Sequence, residues 1–235
     1  MQPDAAAVRM NAFRAISMTY PGRFALLFAA LGVSAGCTTA QLGLPGMGFF
    51  VTSTGGGNGA DLGGLEGADR LCQRLAAEAG AGDRTWRAYL SVQGSKDVKL
   101  VNARDRIGAG PWRNAAGVVI ARDVEHLHGS RNNLNKATAL DERGRPVSGQ
   151  LHDILTGTRA DGYSPSYLDP DLTCGNWTQS GKAGAALVGH FDGADGKADP
   201  WWKSWNSAHQ SRDCSQDGLK ELGGGGLLYC FAPNG

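Results

Sequence analysis

The placement of its cysteines constrains this chain more than any other feature. Cys72 falls in a stretch where Leu65, Ala68, Leu71, Cys72, Leu75, Ala76 and Ala79 keep returning to one side of a 3.6-residue repeat. That spacing predicts a helix with a single apolar stripe, stopped by Gly80 and Gly82. Upstream, Phe49-Phe50-Val51-Thr52 reads as a strand, and the glycine-rich run Gly55–Gly59 reverses the chain before the helix. Cys230 sits in Leu227-Leu228-Tyr229-Cys230-Phe231-Ala232, which reads as the last strand. A Cys72–Cys230 bridge would staple the first helix to the last strand, and the domain would close between them.

Three further cysteines complete the set: Cys37, Cys174 and Cys214. No CxxC pair occurs, which argues against a zinc ribbon or a thioredoxin-type site. With Cys37 set aside, four cysteines remain, an even number suited to an oxidising compartment. Three pairings are possible. The nested one, Cys72–Cys230 with Cys174–Cys214, fits a domain closed at its ends around a stapled long loop.

Export is expected from the N-terminus. Arg9, Arg14 and Arg23 precede the apolar run Phe24–Leu31, which is too short to span a bilayer comfortably, and small residues follow. Residues 1–36 therefore read as a signal peptide. Its end, Ser34-Ala35-Gly36-Cys37, resembles a bacterial lipobox, which implies lipid on Cys37; cleavage after Ala35 by the ordinary signal peptidase is the alternative. Residues 37–48 then form a short tether and 49–235 a single domain. Without residues 1–36 the chain loses three arginines and one aspartate from its 23 basic and 22 acidic residues, so its net charge falls near −1. That balance excludes the basic surface a nucleic-acid partner requires. The 36 glycines, with few periodic helices, indicate a loop-rich, largely β domain.

Along the chain, Thr85–Val92 alternates as a second strand, and Val118–Ala121 reads as another. Glu125–Leu134 reads as irregular, and Thr156–Gly223 is almost free of periodicity. Within it, Thr173–Thr178 and Lys203–Ala208 look like short strands. A loop region this long is usually functional.

An ordered set of pieces carries a resemblance. Phe50–Thr54, Gly63–Asp69, Cys72-Gln73, Trp86–Ser91, Ala103–Arg106, Thr156–Thr158, Thr173–Thr178 and Leu228–Phe231 resemble a family of bacterial surface domains of unknown function, related to C-type lectins and endostatin. The resemblance covers roughly residues 49–233. It implies an α+β, C-type-lectin-like domain of mixed and antiparallel sheets, with one or two helices and a long irregular loop region. It also implies the nested disulfide pairing. Trp205-Asn206 resembles the Trp-Asn of a central lectin strand, whereas the Glu-Pro-Asn and Gln-Pro-Asp signatures of calcium-dependent sugar binding are absent from the long loop.

Candidate chemistry is sparse. There is no HExxH and no Gly-x-Ser-x-Gly. His126 and His128 would share a strand face, and His209, two residues after Ser207, could act as a base; surface and loop-ordering roles suit all three better. Asp192, Asp195 and Asp199, spaced by glycines, form an oxygen-rich loop able to wrap a structural calcium ion. Asp161, Asp169, Asp171 and Asn176 form a second such group. Trp201 and Trp202 point opposite ways on extended chain, so one of them offers an exposed aromatic anchor. The expected ligand-binding set is Trp201, Trp202, Asp169, Asp171 and Asn176. The reading is a non-catalytic, lectin-like or adhesin-like domain, lipid-anchored at the outer membrane or cell surface, or else periplasmic or secreted, binding a glycan or an envelope protein. Its alternatives are a structural envelope module and, behind that, a hydrolase working through His209.

Overall fold

In a computed structural model, which describes residues 46–193 and 203–233, the long C-terminal strand β8 (Gly224–Phe231) organises the rest. Its side chains alternate between two cores, as the period of a strand requires. Leu228 and Cys230 enter one core with Phe50, Leu71, Leu75 and Trp86. Leu227, Tyr229 and Phe231 enter the other with Phe49, Tyr89, Ile107, Trp112 and Trp205. Both faces are dry, which is why this strand is an unbroken apolar run rather than an alternating one.

β1 (Phe49–Val51) pairs antiparallel with β8, Phe49 opposite Phe231, and β2 (Arg87–Ala88) pairs with the same residues from the other edge. β3 (Trp112–Arg113) and β4 (Val119–Ala121) form a separate small hairpin. β5 (Asp153–Leu155) lies parallel to β8, and β6 (Leu187–His190) and β7 (His209–Gln210) follow antiparallel. The main sheet thus runs β1-β8-β5-β6-β7. The domain is α+β, with open sheets and few helices.

Helix α1 (Gly64–Glu78) buries Ala68, Leu71, Cys72, Leu75 and Ala76, the stripe read from the sequence. Cys72 is bonded to Cys230, and Cys174 to Cys214, with Cα–Cα distances of 5.7 Å in both. By loop entropy alone, bridges closing spans of 158 and 40 residues contribute about 5 and 4 kcal/mol. α1 also buries Asp69, which receives Arg106 Nη2 at 2.8 Å, Arg87 Nη1 at 2.6 Å and the Ala88 amide at 2.9 Å. This carboxylate ties the helix to β2 and to the turn Ala103–Arg106.

Several elements differ from expectation. Thr173–Thr178 is not a strand: Cys174, Gly175, Asn176 and Trp177 all have positive φ, a left-handed turn. The Cys174 disulfide and the Trp177 indole, which donates to the Ser91 carbonyl at 2.7 Å, hold it there. Lys203–Ala208 is irregular, and the strand begins only at His209. The alternating stretch 85–92 contributes just Arg87–Ala88 to the ladder, plus a bridge from Val92 to Val101. Glu125–Leu134 opens within a short helix, α2 (Val124–His128), capped by Asp123 accepting from the His126 amide. A further helix, Gln216–Glu221, is capped by Ser215. Both were hidden because a single turn shows no periodicity. Among the described residues no helix is long and apolar enough to cross a membrane. The expected signal peptide, Cys37 and most of the tether lie outside the described residues.

Candidate functional site

β5, β7 and β8 begin, and β6 ends, at one end of the sheet, so residues far apart in sequence meet there. Asp153, first in β5, faces His190, last in β6, in register. His209 opens β7 beside them, and His152 precedes Asp153. The three imidazoles crowd one carboxylate oxygen: Asp153 Oδ1 lies 2.9 Å from His190 Nε2, 3.3 Å from His152 Nε2 and 3.5 Å from His209 Nε2. His190 and His209 also approach Nε2 to Nε2, at 3.0 Å. Asp153 and His190 are buried, while His152 and His209 keep side chains 18% and 15% exposed, so the cluster is open to solvent from one side. Burial alone would push the Asp153 carboxyl up, but hydrogen bonds and charge from His190 and His209 hold it below the ordinary carboxylate range.

One outer imidazole nitrogen is hydrogen-bonded and a second faces a carboxylate. His209 Nδ1 is 2.8 Å from the Gln210 carbonyl, which can only accept, so that nitrogen carries a proton. His152 Nδ1 stands 3.4 Å from Asp192 Oδ2. Nitrogen donors with one carboxylate are a set that first-row transition ions take, whereas calcium takes oxygens.

Beside the cluster a groove of about 500 Å³ runs between α2 and the segment 203–206, with His190 in its wall. Asn206 anchors it. Asn206 is buried, and its Nδ2 donates to the Tyr89 hydroxyl oxygen at 3.0 Å and to the Arg159 carbonyl at 3.1 Å. Tyr89 in turn donates to His128 Nε2 at 2.7 Å, because His128 Nδ1–H is committed to the Val124 carbonyl at 2.8 Å. Burial pushes the Tyr89 hydroxyl far above its usual range and holds His128 below its usual 6.5, so both stay neutral near pH 7. The Trp205 ring packs on Tyr89 at 4.8 Å and Tyr229 at 5.2 Å, and Tyr229 Oη donates to the Trp205 carbonyl at 2.8 Å. Exposed Lys203 and Ser130 stand at the rim.

The residues expected from the sequence fare unevenly. Trp201, Trp202, Asp195 and Asp199 lie outside the described residues. Asp192 is described, and it faces His152. Asp169 and Asp171 do not form a cage with Asn176. Asp171 accepts from Thr173 and from the Gly175 amide at 2.6 Å, Asp169 accepts from the Ser166 amide at 2.8 Å, and Asn176 grips the Gln93 backbone. They shape the left-handed turn and its neighbouring loop. His126 and His128 sit on a helix and diverge, His126 Nε2 reaching the Arg131 carbonyl at 2.8 Å. His209 belongs to the cluster. His152, Asp153 and His190 were missed; the one trace of them in the sequence is a histidine at the edge of each short apolar run. No family model matches the chain, and no curated protein matches it.

Proposed function

We propose that this is an exported, non-catalytic binding domain with a C-type-lectin-like fold, held at the cell envelope by lipid on Cys37, and that it recognises a glycan in the groove beside Asn206. The groove carries this reading. Its rim offers hydroxyl and ammonium groups to a polyhydroxylated ligand, and its floor is fixed by the Asn206–Tyr89–His128 network, so little ordering would accompany binding. The nested disulfides and the pairing of the first and last strands support the fold assignment. With neither Glu-Pro-Asn nor Gln-Pro-Asp in the long loop, sugar contact need not run through calcium.

A glycan array probed with the mature protein tests the ligand class. Lys203→Ala and Ser130→Trp, one removing a rim charge and the other filling the groove, should each lower saccharide binding at least tenfold with an unchanged melting temperature. Binding confined to envelope or matrix proteins would overturn the glycan class. Unchanged saccharide binding in both variants would move the site off the groove. Anchoring is tested separately: Cys37→Ala should shift the protein from the membrane fraction to the soluble one, and retention in the membrane would refute lipid on Cys37.

A further inference from the structure

We propose that His152, Asp153, His190 and His209 form a binding site for a single zinc-class divalent cation. The reading is independent of what the groove binds. It begins from spacing. A tetrahedral ion with nitrogen and oxygen ligands at about 2.0–2.1 Å sets its donors about 3.3–3.4 Å apart. Four of the six donor separations are 2.9, 3.0, 3.3 and 3.5 Å, from His190 Nε2 to Asp153 Oδ1, His190 Nε2 to His209 Nε2, His152 Nε2 to Asp153 Oδ1 and His209 Nε2 to Asp153 Oδ1. The donors of His152, Asp153 and His190 all lie within 4.8 Å of one another. Three donors, from His152, Asp153 and His190, are thus gathered around one small space, and His209 Nε2 stands within 3.5 Å of two of them.

The supports behind the donors agree. Zinc-bound histidines commonly give their second nitrogen to a carbonyl or a carboxylate, which fixes the ring and directs the lone pair at the metal. His209 does so through the Gln210 carbonyl, and His152 turns its Nδ1 toward Asp192. The His190 backbone is pinned as well, its amide donating to the Ser204 carbonyl at 3.0 Å. The donors come from the ends of three neighbouring strands, so their spacing is set by the sheet ladder and not by a loop. A hydrogen-bonded cluster without metal would also bring His190 and His209 together. It would not explain why a third imidazole stands 3.3 Å from the same carboxylate oxygen with its outer nitrogen 3.4 Å from a second carboxylate.

With His209 drawn in beside the three gathered donors, three histidines and one aspartate would fill a tetrahedral shell, a structural kind of site that joins the sheet end to the 203–209 segment bordering the groove. The part-exposed His152 and His209 leave a path by which the ion can enter.

The test uses the mature protein stripped with chelator, dialysed and titrated with zinc chloride by calorimetry, and with cobalt chloride by visible absorption. Expected are one ion per chain, the intense visible bands of four-coordinate cobalt, and a melting temperature that rises with free zinc. His152→Gln and His209→Gln, at part-exposed positions that can change without emptying the core, should each weaken zinc binding by a hundredfold or more. Asp192→Asn, behind His152, should weaken it about 10–100-fold. Absence of zinc uptake by the folded protein, or unchanged affinity in both histidine variants, would overturn the proposal. Glycan binding that persists in His209→Gln would leave the groove reading standing, and its loss in Lys203→Ala with full zinc uptake would leave the metal site standing.

Discussion

At the scale of single residues, what matters is which polar groups the core has accepted and in what state. His128 is held neutral, so acidification should act on it in one direction. Its pKa lies lower in the folded chain than its ordinary 6.5, so between the two values the unfolded chain binds a proton that the folded chain does not. The stability contribution is then complete above 6.5 and is lost as pH falls toward the folded value, by at most about 1.4 kcal/mol per pH unit. In the presence of chelator, His128→Gln should flatten the curve of unfolding free energy against pH between pH 7 and 5; an unchanged slope would refute the assignment. Asp69 is the charged counterpart. Asp69→Ala leaves Arg106, whose side chain is only 12% exposed, without its carboxylate, and should cost about 3–5 kcal/mol by urea denaturation. Glu66→Ala, one turn earlier and 92% exposed in its pair with Arg70, should change stability by about 0.5 kcal/mol or less. Asp69 was legible as part of a helix motif but not as buried, because periodicity marks the apolar stripe and says nothing of which arginines will reach it. The histidine cluster was illegible for a related reason. Its members are joined by strand pairing across the sheet, and no fixed sequence spacing records that.

At the scale of elements, strong local patterns were legible and single turns were not. β1, α1 and β8 carry several residues of repeated pattern each, and all three were found near their expected bounds. The left-handed turn at Cys174–Trp177 reads as a strand from sequence because β-branched and aromatic residues flank it; the disulfide and the buried indole override that preference. Of the elements that position the site, β6 is the most exacting. Its Gly189 has the Trp205 backbone against it, and an added Cβ would lie 1.9 Å from the Trp205 carbonyl oxygen. Neither backbone can withdraw without breaking the ladder on one side or the Asn206 network on the other. Gly189→Ala should therefore destabilise by about 3 kcal/mol or more, within the range of severe overpacking. Thermal unfolding measures it, and a melting temperature within a degree of the parent would contradict the close approach. Nothing in a lone glycine among Leu187, Val188 and His190 announces such a contact.

At the scale of the molecule, β1 and β8 bring Phe49 and Phe231 side by side, and Cys72 is bonded to Cys230 just behind them. A pull applied ahead of Phe49 and beyond Ala232 would meet the antiparallel pair end-on, so the ladder would open one rung at a time instead of shearing at once. Opening cannot run on, because tension passes into the covalent bridge at Cys72. The length free to unravel is the stretch from Phe49 to Cys72, about 80 Å at full extension. The 158-residue span behind the bridge would add about 550 Å once the bond is reduced. Single-molecule stretching should show the short release under oxidising conditions and the long one only with reductant, and a long release from the oxidised protein would refute this route. A domain so fastened has a stop built in: under load it yields a fixed length, and the sheet end that carries the histidines stays folded while the stretch ahead of Cys72 extends.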